Sequence, residues 1–235
     1  LHGAIRAVFA ETGVQAAQIE KGYVGNFLGE CFSRQGHLGA MAVAADPGLS
    51  GLPFARIEAA CASGGLAVTA GIDALQAGWD VVLAVGAEVE TNVRGREGVD
   101  YMARAAHYAS ERPLSAFTFP HLFGRRAWAY KAAYGDAFQA TARVVEKAHR
   151  NARSNPLALM QTASTTLEEA GQPSAKNAEF LEDERYRPHL RMLDCTQFTD
   201  GAAAVILATA RGLEKLGVSV ERCTEVVSYG HTVRA

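Results

Sequence analysis

Hydrophobic and polar positions divide the chain into three stretches. Up to about residue 88, helical and strand spacings alternate. Ile5, Val8 and Phe9 recur with helical spacing, and Gly13 stands where that helix would end. Residues 19–27 read as a short strand, with Gly22, Gly25 and Gly29 as positions of close backbone approach. A second strand over 56–61 ends at Cys61, and Ala62-Ser63-Gly64-Gly65 leads into a helix to about 78 with Leu66, Val68, Ile72 and Leu75 as its apolar positions. The run 80–87 is continuously apolar, the pattern of a parallel strand covered on both faces. Strand 56–61, helix 62–78 and strand 80–87 make one right-handed βαβ unit.

The stretch 89–188 changes character. It holds Arg94, Arg96, Arg104, Arg112, Arg125, Arg126 and Arg143 among scattered aromatics. Helices are predicted over 121–134 and 138–153, the second stopping before Asn155-Pro156, while 165–181 reads as a polar loop. From 190 onward the chain returns to the sheet. Asp200-Gly201 marks a turn, 202–209 an apolar strand, 211–216 a short helix ended by Gly217, and 225–229 one more strand. The fold class read from this alternation is α/β: a mostly parallel sheet of about five strands, helices on both faces, and a long insertion.

Composition narrows the function classes. The chain is 49% hydrophobic and 20% charged, with a net charge of -2 and a pI near 6.4. Nothing there favours nucleic acid or an anionic membrane as partner. The four cysteines form no C-x-x-C pair, which argues against a zinc site or a disulfide framework and makes a reducing, cytoplasmic compartment the simplest inference. No apolar run reaches the length of a membrane span. The chain enters a helix directly from Leu1, whereas such a domain would open with a strand, so a fragment of a longer protein is expected.

Cys61 is the chemical candidate. At a strand-to-helix turn it meets N–H groups that have no intrahelical partner, and the helix dipole favours a thiolate. That field is worth at most about 2 kcal/mol, or roughly 1.5 pKa units. Starting from about 8.5, the thiol would ionise incompletely, so a base is normally recruited. A lone cysteine is more often a small buried hydrophobe. The glycine-rich turn, a poor choice for plain helix packing, makes the two readings comparable. His37, in a glycine-flanked loop, fits a structural role, as does Cys195, which has no base or dipole near it in sequence.

Glu58-Ala-Ala-Cys61-Ala-Ser-Gly-Gly65 resembles the nucleophile segment of the thiolases, most closely the sterol-carrier-protein-type branch with its acetyl-CoA acetyltransferases. Further segments agree in order: Val24-Gly-Asn-Phe-Leu-Gly-Glu30 with Gln35-Gly-His-Leu-Gly39, Val81-Val-Leu-Ala-Val-Gly-Ala-Glu88, Phe119-Pro-His-Leu-Phe123, and Leu193-Asp-Cys-Thr-Gln-Phe-Thr-Asp-Gly-Ala-Ala-Ala204. The resemblance implies a thiolase-like layered fold. Residues 1–88 and 189–220 would form the N-terminal domain, 89–188 a loop domain over the acyl and pantetheine end of the ligand, and 221–235 the first strand of a C-terminal domain. Strand 202–209 would lie beside the nucleophile's strand.

By the same resemblance Cys61 is the acyl-carrying nucleophile, and acyl-CoA and coenzyme A are the ligands, with no further cofactor and no metal. His121 would line the acyl pocket, a role it shares as a candidate with plain capping or packing. Arginines of the loop domain could meet coenzyme A phosphates. Pairing through 55–60 implies a homodimer or larger assembly, and a small zinc-and-OB-fold protein is a possible partner. The family's base lies in a Gly-His-Pro segment and its second cysteine in a Cys-x-Gly segment; neither string occurs in this sequence, and His231 in Tyr229-Gly-His-Thr232 does not match. Two alternatives stay open: a β-ketoacyl-synthase-like condensing enzyme, and a non-catalytic scaffold subunit.

Overall fold

The computed structural model describes residues 1–233. In chain order its elements are α1 (His2–Thr12), β1 (Lys21–Gly25), α2 (Gly29–Phe32), α3 (Leu38–Val43), β2 (Phe54–Ile57), α4 (Ser63–Gln76), β3 (Val81–Glu88), α5 (Gly95–Met102), α6 (Tyr108–Glu111), α7 (Thr118–Tyr134), α8 (Phe138–Ser154), α9 (Leu167–Gly171), β4 (Gly201–Ala208) and α10 (Ala210–Leu216), joined by 3-10 turns. The chain divides into two units, Leu1–Asn92 with Asp200–Ala235, and Val93–Thr199. The insertion expected over 89–188 falls largely within the second unit, which runs on to Thr199. Asp200 marks the return to the first. Its carboxylate accepts from the Glu90 and Thr91 N–H groups (2.7 and 3.0 Å) and from the Thr91 hydroxyl (2.7 Å).

The first unit is built on a four-stranded sheet of order β2-β1-β3-β4. β1 runs parallel to both neighbours, and β3 pairs antiparallel with β4 from Val81↔Ala208 to Glu88↔Gly201. Successive side chains of β3 alternate between faces. Val81, Leu83 and Val85 join Ile5 of α1 with Ile19, Val24 and Leu49 in one core. On the other face lies α4, where a Cβ on Gly71 would meet Leu207 and Val82. The buried stripe of α4 is Ser63, Ala67, Gly71 and Ala74. Leu66, Val68, Ile72 and Leu75, which the spacing marks as apolar, are only partly buried. Small side chains face the sheet because they let the helix axis come close.

β1 lies between the two strands of the βαβ unit. Two expectations about the sheet are corrected. β4 sits beside β3 at the opposite edge from β2, the strand before Cys61, because its eight apolar residues pair along the whole of β3. Residues 225–229 form no strand and are exposed; residues 234 and 235 of the expected terminal strand lie outside the described residues.

In the second unit, α8 and α9 meet through Ala142, Val145 and Ala170, with Leu193 against them. The stretch 165–181, read as loop, contains α9, started by a reciprocal cap between Thr166 and Glu169. Asn177 is buried and holds the neighbouring turn. Its amide donates to the carbonyls of Glu169, Ala170 and Gln172 at 3.1 Å, and its oxygen accepts from Leu193 N–H at 3.0 Å. Among the described residues no helix is long and apolar enough to cross a membrane.

Polar contacts close the edge of the first unit where β3 begins. Asp80, buried there, accepts from Thr209 Oγ1 (2.7 Å) and Arg211 Nε (2.7 Å) and pairs with Lys215 Nζ (2.6 Å). Glu20 accepts from Asp80 N–H at 2.6 Å and pairs with Lys215 at 3.0 Å. The Lys215 ammonium and the Arg211 guanidinium hold the Asp80 carboxyl well below the usual range, and the Asp80 N–H lowers the pKa of Glu20. A depressed folded-state pKa stabilises above the unfolded value and is lost as pH falls. Asp80→Asn should therefore lower the thermal midpoint by several degrees at pH 7, and the gap to the parent should narrow as the pH falls below about 4; thermal scans from pH 7 to pH 3 check this.

The carboxyl ends of β1 and β3 set where α4 starts. A Cβ on Gly25 would stand 2.4 Å from the Ser63 carbonyl oxygen and 2.8 Å from Gly64 Cα, and Gly86 also faces Gly64, at 3.6 Å. Gly64 and Gly65 themselves have open space where a Cβ would be. Gly25→Ala must push the helix start away and should destabilise by about 1–3 kcal/mol. Gly64→Ala, adding helix propensity in free space, should be neutral or stabilise by about 0.5–1 kcal/mol. Urea denaturation of both variants tests the contrast.

Candidate active site

Cys61 stands in the connection from β2 to α4. The strand ends at Ile57, four residues earlier than expected, and Glu58 to Ala62 make a tight turn before the helix begins at Ser63. Ala60 takes the left-handed conformation, φ 49°. For an alanine that costs about 1–2 kcal/mol. Ser63, buried, holds the turn from the first helical position: its hydroxyl accepts from Ala59 N–H at 3.0 Å and donates to the Ala60 carbonyl at 2.6 Å. Backbone bonds from Ala62 to Ala59 (2.9 Å) and from Ser63 to Ala60 (3.1 Å) complete it. Cys61 is thereby raised out of the turn with its thiol exposed. Gly64 and Gly65, also exposed, leave the start of α4 open beside it.

A polar network ties together the strand ends beneath this turn. Asn26, buried just after β1, donates from its amide to the Ala87 carbonyl (2.8 Å) and to Glu88 Oε2 (2.9 Å), and accepts from Gly29 N–H (2.8 Å). Its backbone N–H bonds to the Ile57 carbonyl at 3.2 Å, so this residue links β1 to both neighbours. The Phe27 N–H donates to Glu88 Oε1. Arg56 reaches across from β2, donating to the carbonyls of Asn26 (3.2 Å) and Phe27 (2.6 Å) and pairing with Glu30. Burial pushes the Glu88 carboxyl above its ordinary value, opposed in part by the Phe27 N–H, with Glu90 and Glu58 adding like charge. Glu90 is raised by burial and by Asp200.

The other candidates fall elsewhere. His37 caps α3 with φ 53° and makes no bond to Cys61. His121 belongs to the second unit, in the first turn of α7. It is 5% exposed, its ring edge meets Tyr186 at 5.2 Å, and its Nδ1 has no hydrogen-bond partner. Cys195 is half-buried; burial, then the charge of Asp194, pushes its thiol up to about 11. Among the described residues no histidine or carboxylate is hydrogen-bonded to Cys61, and no cluster of metal-ligating side chains occurs. Sequence reading passed over Ser63 as a pin and Asn26 and Glu88 as a brace. The available signal was a carboxylate ending an otherwise apolar strand.

Known proteins resemble this chain in sequence and in fold. The profile of the thiolase N-terminal domain matches residues 1–211. The acetyl-CoA acetyltransferase of Methanothermobacter thermautotrophicus is 35% identical over 201 residues, which cover 85% of this chain and 49% of that protein. The acetyl-CoA acetyltransferase of Methanocaldococcus jannaschii is 32% identical, covering 87% and 51%. The chain thus spans about half the length of these relatives. Among solved structures, a monomeric SCP2-thiolase-like protein type 1 from Mycobacterium smegmatis superposes with a TM-score of 0.64 at 18% identity, covering 94% of this chain and 44% of that one. The Ltp2-ChsH2(DUF35) aldolase gives 0.62 at 22% identity, covering 92% and 51%. With its strand-turn-helix around Cys61 and its matching N-terminal profile, the chain belongs to the thiolase family.

Proposed function

We propose that this chain carries the nucleophile half of a thiolase-type acyltransferase acting on coenzyme A thioesters. The observation that carries the reading is the exposed Cys61 on a strained turn at the open start of α4. Its sulfur would attack the thioester carbonyl and expel coenzyme A as the thiolate, leaving an acyl-cysteine. The Cys61 N–H would donate to the developing oxyanion. A second acyl thioester, deprotonated at its α-carbon, would take the acyl group, or free coenzyme A would do so in the thiolysis direction; either order gives ping-pong kinetics. His121, buried with an unpartnered Nδ1, is proposed as an acyl-pocket residue.

Assembly belongs to the same proposal. β2 is an edge strand, so a homodimer paired along that edge is available to the chain. A small partner protein is the alternative occupant; support comes from the aldolase complex with a DUF35 protein, which shares the fold. Four free cysteines suit a reducing cytoplasm.

Acylation of the 235-residue chain as it stands should be slow. Each acid–base group is worth about 10² to 10⁴-fold, and among the described residues no base is hydrogen-bonded to Cys61. Incubated with acetyl-CoA, the chain should gain one acetyl group on Cys61, seen by peptide mass spectrometry, with no sustained formation of acetoacetyl-CoA. Cys61→Ala should abolish the adduct. Acetylation at Cys31, Cys195 or Cys223 instead, or steady multiple turnover by this chain, would overturn the assignment. Faster acylation from an acyl carrier protein than from acyl-CoA would favour a β-ketoacyl-synthase-like enzyme.

A further inference from the structure

The second unit contains a cavity of about 580 Å³ between α7 and α8 and the segment 189–194. That is within the range of small-molecule sites, roughly 300–1,000 Å³. Its walls are apolar and aromatic: Phe123, Ala127 and Tyr130 from α7, and Phe138, Val144 and Val145 from α8. Several of these side chains stand open to solvent, Tyr130 at 52% and Val144 at 65% exposure. An apolar hollow of this kind is ready to accept an apolar body.

Charge around the hollow is uneven. Lys131 is neutralised by Asp136 at 2.9 Å. Among the described residues no carboxylate lies within ion-pairing distance of Arg126, on the same wall; its guanidinium lies over the Phe123 ring at 5.1 Å. Behind the hollow, Arg191 is 2% exposed and sits over the Phe138 ring at 4.7 Å. Its nearest carboxylate oxygen, on Asp194, is 3.6 Å from Nε, too far for a hydrogen bond, and its Nε and Nη2 have no partner. Asp194 Oδ1 is likewise unpartnered. Asp136 and Asp194 thus accompany Lys131 and Arg191, and among the described residues Arg126 is the cation of this wall left without a carboxylate. His189 stacks on Phe138 with centroids 6.2 Å apart; burial and Lys131 lower its pKa, opposed by Asp136 and Glu179.

From this geometry we infer that the α7–α8 cavity binds a small amphipathic anion, a carboxylate or sulfonate on an aromatic or medium-chain apolar body. The body would lie against Phe123, Tyr130 and Phe138, and the head group would meet Arg126 at the rim. This does not rest on Cys61 or on the acyl-transfer reading.

The test uses the 235-residue chain and 8-anilinonaphthalene-1-sulfonate as fluorescent probe. One saturable site is expected, with octanoate displacing the probe at least ten times more effectively than octanol. Arg126→Ala should weaken probe binding about tenfold, equivalent to 1.4 kcal/mol, and Val144→Asp should weaken it at least as much. Both side chains are exposed, so the fold should survive, as circular dichroism would show. Unsaturable binding, equal displacement by octanol, or unchanged binding in both variants would overturn the inference. The octanoate–octanol comparison decides the question even if a variant does not fold.

Discussion

The close approach of one helix start to two strand ends governs the first unit. Gly25 ends β1 without a side chain, and the first turn of α4 fills the space its Cβ would need; Gly86, two residues before the end of β3, faces Gly64 at 3.6 Å. Every later residue of α4 inherits that proximity, which is why its sheet-facing stripe is Ser63, Ala67, Gly71 and Ala74. A larger side chain at any of these positions would lift the helix and carry Cys61 with it. The apolar core on the opposite face, which includes Ile5, Leu83 and Val85, does not set this distance. The glycines do.

How far this could be read from the sequence depends on whether a feature is local. The continuous apolar run of β3 announces a strand covered on both faces. Gly13 and Gly217 end their helices in the left-handed conformation, with φ 77° and 66°. The cysteine between a strand and a glycine-rich helix start was visible as a motif. Strand order was not, because β4 could satisfy its ladder at either edge, and only the full eight-residue register with β3 decides between them. The inward face of α4 was misjudged because hydrophobic spacing weights large side chains, whereas close packing selects small ones. The 165–181 stretch looked like loop because α9 is five residues long and is held by its cap and by Asn177 rather than by an apolar stripe.

The brace under the turn shows how burial and charge divide the work. Asn26 can satisfy three backbone and side-chain groups only because the ends of β1 and β3 are in register at Gly25↔Gly86. Glu88 then finds its partners at the Asn26 amide and the Phe27 N–H, both fixed by the sheet, rather than at a cation. A carboxylate held by neutral donors in a half-buried position has a raised pKa, as seen. At the other end of the same strand, Asp80 is held by Lys215 and Arg211 and has a lowered one. Two carboxylates flanking one apolar strand thus titrate in opposite directions, and the end nearer Cys61 is the one without a cation in direct contact.

The strain at Ala60 closes this account. A left-handed alanine costs about 1–2 kcal/mol, and a net hydrogen bond returns about 0.5–1.5 kcal/mol. The two side-chain bonds of Ser63, to Ala59 and from Ala60, are together of the size needed to offset it. Ser63 is buried, so removing its hydroxyl would also strand the Ala59 N–H and the turn would lose its reason to stay strained. A serine at the first helical position, ordinarily an indifferent helix residue, is here what keeps the cysteine two residues before it exposed. Strain is stored at the candidate nucleophile, and its counterweight sits in the same turn rather than in the distant core.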